Sequence, residues 1–380
     1  MPEDHGFREN IGIAVDGGGI KGAIVAHGLI ELENILGVER LLDAPQLKVV
    51  AGTSTGALIA SSIAAGLSGT EILEMYRAFG EAAFAQPGPM RPFGNYVPFL
   101  SNREYSAKCQ RRLEKFPGIG DLLVYALFPA RYSFKPLRKV LRDTLTTHPM
   151  PNNDPTLAEV GEHLRATSHG PTLIITATEV TQRRTHFFKT TADEQYGNMK
   201  LADAMLASSC IPTYFPPIPL PVAEEDGKRL LVDGGVGEFG NPAFVVAWEL
   251  CDLRNSDTSR HYDPEKTTVI SLGTGTLAPA AAQRVFGGAD NWWALKWVPR
   301  SLDIFTDSAI RQQSRNVISG YPNIDLRRYQ VSQKQTISAD NVHLIDTVLK
   351  DLGLEMRELI RQNRHALHPD PDLRHNPEGI

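Results

Sequence analysis

Three short stretches of this 380-residue chain carry residue types that can do chemistry. Gly52-Thr53-Ser54-Thr55-Gly56 has the G-x-S-x-G spacing, in which small flanking residues let a strained strand-to-helix turn push a serine hydroxyl toward substrate. Asp16-Gly17-Gly18-Gly19-Ile20-Lys21-Gly22 sets three consecutive glycines at the end of an apolar run, where the bare amides of Gly17, Gly18 and Gly19 can converge on an oxyanion. Asp233-Gly234-Gly235 follows the apolar Leu230-Leu231-Val232 and puts a carboxylate at a strand end, beside glycines that allow close backbone approach. Together these point to acyl transfer through Ser54.

Chemistry of this kind needs elements that hold the three stretches together. Ile11–Val15 and Leu47–Ala51 read as buried strands, and Ala23–Leu36 and Ala57–Gly66 read as the helices that follow them. A third helix is expected from Thr70 to Phe79. This βαβα opening predicts a central, mostly parallel sheet flanked by helices. Reactive groups in such sheets gather at the carboxyl ends of strands, where Asp16, Ser54 and Asp233 all fall. Ser54 would also sit at a helix N-terminus, whose free amides and dipole favour developing negative charge. Leu173–Thr178 and Thr267–Leu272 are further candidate strands, and 341–364 reads as one or two surface helices.

With its DGGGxxG loop, GxSxG elbow and late DGG, the chain resembles the patatin-like phospholipases. Two more stretches agree: Ala207–Pro216 is similar to that family's A-S-x-A-x-P block, with Cys210 where alanine is usual, and Ser271–Gly275 is similar to a later strand and glycine turn. The resemblance implies a three-layer α/β/α fold and a lipid acyl hydrolase that cleaves glycerolipid or phospholipid esters through a Ser54–Asp233 dyad, without cofactor or metal. Asp233 would take the Ser54 proton directly, although an aspartate of ordinary pKa near 4 is a weak base toward a hydroxyl. Burial could raise it, and the glycine loop would carry part of the load. Lys21 stands where the family usually has arginine, and is read as steadying the loop or meeting a headgroup phosphate. The catalytic core is expected over 11–243, with 244–367 completing the sheet and its helical cover and 368–380 a disordered tail.

Composition narrows the partners. A net charge of −5 gives no case for a nucleic acid polymer, and 42% hydrophobic with 22% charged residues describes a globular chain. Cys109, Cys210 and Cys251 lie far apart, so neither a zinc site nor a disulfide framework is indicated. That pattern and the polar N-terminus fit the cytoplasm, with peripheral contact at the inner membrane face. The uncharged 49–70 stretch is long enough to span a bilayer, but its serines and threonines and the turn at Gly52–Gly56 argue against it. Residues 84–100, aromatic and broken by proline and glycine, read as a lid, a membrane-contact loop or a loop folded onto its own domain. Basic residues over 131–144 suit a solvated helix face or anionic headgroups, and Trp292, Trp293 and Trp297 suit core packing or interface anchoring.

Two rivals use the same residues. Gly17-x-Gly19-x-x-Gly22 formally matches a dinucleotide-binding loop, but the second strand runs into Gly52-Thr53-Ser54 where such a site wants an acidic residue. A Ser–His–Asp hydrolase is the other, since His261, His343, His365, His368 and His375 all follow Asp233. A pH limb near 6.5 would mark the histidine and a carboxylate limb the dyad.

Overall fold

The computed structural model describes residues 6–83, 134–146, 150–167, 169–191, 196–212, 214–220, 229–252, 261–292 and 294–365. The chain opens as expected, with β1 (Asn10–Val15), α1 (Gly22–Leu36), β2 (Leu47–Thr53), α2 (Thr55–Ala64) and α3 (Gly69–Ala83). There follow α4 (Phe134–Thr146), α5 (Leu157–Thr167), β3 (Thr172–Glu179), β4 (Arg184–Lys189), α6 (Leu201–Ser208), β5 (Ile218–Pro219), β6 (Leu230–Asp233) and α7 (Ala243–Cys251). The last part holds β7 (Thr267–Leu272), β8 (Thr276–Leu277), α8 (Pro279–Phe286), α9 (Ala294–Gly320), β9 (Asp325–Tyr329), β10 (Ser332–Gln333) and α10 (Val348–Gln362).

Strands β3, β2, β1, β7 and β9 lie side by side and parallel. Two apolar cores, one on each face, make this a three-layer α/β fold. Ile11, Ile13 and Val15 of β1 point into the larger core with α1, α2 and α10, whereas Ala14 points into the smaller one against α7. That alternation follows from the two-residue period of a strand. The second face of β1 is built of small residues because α7 lies close: a Cβ on Gly12 would sit 2.3 Å from Val246 Cγ1.

Strands β4 and β5, and the antiparallel direction of β6, were not legible in the sequence, and that direction places the carboxylate. β4 pairs with β3 along Ile174–Glu179 and occupies one side of it throughout. On the other side β2 pairs with Val49↔Thr172 through Thr53↔Thr176, and β6 then takes over antiparallel with Ala177↔Asp233 and Glu179↔Leu231. β2 and β6 therefore run toward each other along one flank of β3. The end of β6, Asp233, meets the end of β2, where Ser54 begins the turn.

The outer end of β6 is pinned by charge. Arg229 donates to Glu179 Oε1 and Oε2 at 2.8 and 2.6 Å, both side chains are buried, and His186 sits between Glu179 Oε2 and the Tyr196 hydroxyl at 2.7 and 2.8 Å. The Arg229 hydrogen bonds hold the Glu179 carboxyl well below the usual carboxylate range, overriding the opposing effect of desolvation. Truncating Arg229 to alanine would leave the buried Glu179 with only the half-exposed Arg184, at 3.6 Å, as a cation among the described residues. A loss of about 3–5 kcal/mol is expected in denaturant unfolding; a loss under about 1 kcal/mol would show that β6 is held by other contacts.

Candidate active site

Ser54 sits at the junction of β2 and α2 with φ 55° and ψ −123°, a left-handed backbone seldom adopted by residues other than glycine. Its neighbours explain how the turn closes. A Cβ on Gly52 would lie 1.9 Å from the Gly56 carbonyl oxygen, and one on Gly56 would lie 2.2 Å from the Val15 oxygen, so neither position admits a side chain. The elbow is also held from α6: the Ser54 amide donates to Ser208 Oγ at 2.8 Å, and Ser209 Oγ donates to the Ser54 carbonyl at 3.4 Å. The serine-rich block at 207–216 thus braces Ser54.

The same block steadies Asp233, whose amide donates to the Cys210 carbonyl at 3.0 Å. Cys210 is a buried free thiol, its pKa raised by burial. Asp233 is 4% exposed; its Oδ1 accepts the Gly235 amide at 2.8 Å, while Oδ2 is buried without a well-formed hydrogen bond among the described residues. Desolvation pushes the carboxyl up to about 6, opposed by the Ser54 side chain and then by the Gly235 amide. The Ser54 side chain thus stands near enough to lower the Asp233 pKa without a well-formed hydrogen bond to it, and Oδ2 is left open for a proton. Gly234 is required here because a Cβ would lie 2.3 Å from Thr176 Oγ1.

The glycine loop comes against the same turn, for a Cβ on Gly17 would lie 3.2 Å from Ser54 Cβ. One expectation needs correction: the Gly17 amide donates to the Gly240 carbonyl at 3.0 Å and is not free to bind an oxyanion. Among the described residues the Gly18 and Gly19 amides donate to no carbonyl, which leaves those two as donors. Gly19 has φ +60°, and Thr274 and Ala339 pack where side chains of Gly18 and Gly19 would be, which also obstructs a dinucleotide lying across the loop. Thr274 Oγ1 donates to the Gly17 carbonyl at 2.8 Å, and Ile20 donates its amide to the Ala339 carbonyl at 2.8 Å. Asp16, before the glycines, is bracketed by Arg328 at 2.8 and 2.6 Å, a partner that no sequence signal identified.

Lys21 is partly buried behind the loop. Burial lowers its ammonium pKa, and Asp307, Asp303 and Asp16 raise it in turn. Two of those acids, Asp303 and Asp307, lie on α9. Among the described residues no histidine contributes to the shift of Asp233. His261 precedes β7, and a Cβ on Gly6 near the start of β1 would lie 2.8 Å from His365, so both histidines stand at the sheet edge opposite Ser54. His343 is exposed, and His368 and His375 lie outside the described residues.

Other expectations resolve locally. Arg138 of the basic helix α4 bonds Asp203 at 2.7 Å and so joins α4 to α6, which makes that face partly internal. Trp292 packs on Phe286 and Trp297 with centroids 5.9 and 5.0 Å apart, while Trp297 remains 39% exposed. Cys109, Trp293 and the 84–100 loop lie outside the described residues. Among the described residues no helix is long and apolar enough to cross a membrane, and no cluster of three His, Cys, Asp or Glu side chains is placed to hold a metal.

The family model described as Patatin-like phospholipase matches residues 13–246, which include the glycine loop, the elbow and Asp233. Patatin-04/09 of Solanum tuberosum is 25% identical over 379 residues, covering 96% of this chain and 85% of its own. A cGAMP-activated phospholipase of Vibrio cholerae is 25% identical over 285 residues, 73% of this chain and 67% of its own. Among solved structures, VipD from Legionella pneumophila aligns over 92% of this chain and 67% of its own, with 16% identity and a TM-score of 0.39.

The raised pKa of Asp233 has a stability counterpart. A carboxyl that binds its proton more tightly when folded destabilises the native state once pH rises from the unfolded value near 3.8 through about 6. Asp233→Asn removes that penalty. The variant is expected to gain about 1–3 kcal/mol over the wild-type protein at pH 7 and nothing below about pH 4, measured by urea unfolding across pH. Equal stabilities at pH 7 would show that the carboxylate carries no desolvation penalty.

Proposed function

The chain belongs to the patatin-like phospholipase family of serine ester hydrolases, and from that premise we propose that Ser54 and Asp233 hydrolyse carboxylic esters of glycerolipids as a two-residue catalytic unit. Ser54 Oγ attacks the acyl carbonyl while Asp233 accepts its proton. The negative charge that develops on the carbonyl oxygen is met by the Gly18 and Gly19 amides and by the N-terminus of α2. Asp233 then returns the proton to the departing alcohol. In the second half-reaction the carboxylate deprotonates water, which cleaves the acyl-serine and regenerates the hydroxyl.

The observation that carries this reading is the meeting of the β2 and β6 ends, which brings the buried Asp233 carboxyl, its pKa pushed up to about 6 by desolvation, to the turn that holds Ser54. Its basicity is matched to work near neutral pH, which removes the difficulty of an ordinary aspartate as base. Substrates are drawn from a lipid surface on this reading, with the chain in peripheral contact at the inner membrane face. Phospholipid, lysophospholipid and neutral glyceride esters present the same carbonyl to the same groups.

Ser54→Ala is expected to abolish release of fatty acid from mixed phospholipid vesicles, read by mass spectrometry, while the fold stays intact. Asp233→Asn should reduce kcat by at least about 10²-fold; near-normal turnover in either variant would overturn the dyad. For the wild-type enzyme, kcat/KM should fall as pH drops through about 6, because Asp233 becomes protonated. An imidazole titrates in the same range, so the position of that limb no longer separates dyad from triad. Its temperature dependence does: a carboxylate limb stays in place on warming, whereas a histidine limb moves to lower pH.

A further inference from the structure

We propose that Arg328, on β9 and beyond the 13–246 segment that the family model matches, is a positioning residue for hydrolysis: it neutralises Asp16 and fixes the glycine loop in the orientation that aims the Gly18 and Gly19 amides at the oxyanion. The proposal rests on the ester hydrolase reading above.

The contacts form a closed ring. Arg328 Nη1 and Nη2 donate to Asp16 Oδ1 and Oδ2 at 2.8 and 2.6 Å, and Nη1 also donates to Ser271 Oγ at 2.9 Å. Ser271 Oγ donates to Asn241 Oδ1 at 3.2 Å, and the preceding residue, Gly240, accepts the Gly17 amide at 3.0 Å. From Asp16 to Gly17 is one peptide bond, so the ring clamps both ends of the loop's first peptide. Asp16 and Arg328 are 1% and 3% exposed. A planar guanidinium that spans both carboxylate oxygens fixes direction as well as charge.

The charge itself bears on the reaction. Asp16 lies two residues before Gly18, the first of the two glycines that receive the oxyanion, and an unpaired buried carboxylate there would oppose the negative charge that builds up during attack. The groups acting on Asp16 are Arg328 from β9, Lys21 from the loop and Asp307 from α9. Burial raises the Asp16 pKa, Arg328 and Lys21 lower it, and Asp307 adds a small raising effect. Removing Arg328 therefore leaves a carboxyl that takes up a proton more readily and repels the oxyanion whenever it is ionised.

The test measures kcat and KM on a soluble p-nitrophenyl ester from pH 5.5 to 9 for the full-length wild-type protein and for Arg328→Met, Arg328→Lys, Asp16→Asn/Arg328→Met and Ser54→Ala. Arg328→Met is expected to lose about 100-fold in kcat at high pH, with KM changed by less than about threefold. The ratio of its kcat to wild type should decline as pH rises, because Asp16 ionises. In the double variant that decline disappears, since no carboxyl remains to titrate. Arg328→Lys keeps the charge but not the bidentate bracket, and should lose about tenfold with a ratio flat in pH. A loss in Arg328→Met that is independent of pH and equal to that of the double variant would reduce Arg328 to a structural residue and overturn the proposal. If Arg328→Met does not fold, Arg328→Lys decides, and a kcat within about twofold of wild type overturns it. Turnover retained in Ser54→Ala identifies a failure of the hydrolase reading instead, and the proposal falls with it.

Discussion

Two aspartates are removed from water at the same edge of one sheet, and their different surroundings organise the rest of the molecule. Asp16 is bracketed by a buried guanidinium, which acts against the desolvation that raises its pKa and makes it a fixed strut. Among the described residues only a backbone amide and the Ser54 side chain act against the burial of Asp233, so its pKa rises to about 6 and the proton becomes exchangeable near neutral pH. Two chemically identical side chains thus acquire different properties from environment alone. The free energy spent in burying Asp233 without a counter-ion is offset by the apolar cores on both faces of the sheet.

The topology makes that arrangement possible. In an all-parallel sheet every strand would deliver its end from the same direction, and the serine and the aspartate would stand on separate strands about 4.8 Å apart or more. Here β3 is longer than β2, and the flank left over accepts β6 from the opposite direction. The two strand ends then face each other, at a junction that only small residues can fill. Gly52, Gly56, Gly17 and Gly234 each stand where a Cβ would meet backbone or a neighbouring side chain within 3.2 Å. The Glu179–Arg229 pair at the far end of β6 sets how far that strand can travel before it meets Ser54.

The last third of the chain contributes as well. β7 and β9 extend the sheet beside β1, and the loop after β7 folds Thr274 over the glycines. Acidic residues of α9 face Lys21 behind the same loop. The glycine loop is tied from the C-terminal side by groups more than 250 residues away in sequence, as the Thr274 bond to the Gly17 carbonyl illustrates.

What the sequence determined by itself was local. A strand running into G-T-S-T-G and then into a helix-forming run can hardly be anything but a tight turn, because the glycines are needed within five residues of the serine. The βα repeat, the glycine loop and the aspartate at a strand end were legible for the same reason: each requirement is met by neighbours in the chain. The tertiary structure alone decided that β6 runs antiparallel into the flank of β3, since strand direction depends on long connections that leave no periodic signal. It also decided that Gly17 gives its amide to Gly240, which leaves Gly18 and Gly19 as the amides of the loop without a carbonyl partner among the described residues. Arg328 carried no motif, and its pairing with Asp16 spans 312 residues. The basicity of Asp233 was likewise unreadable, because a pKa records how much water a fold excludes, and no stretch of residues states that on its own.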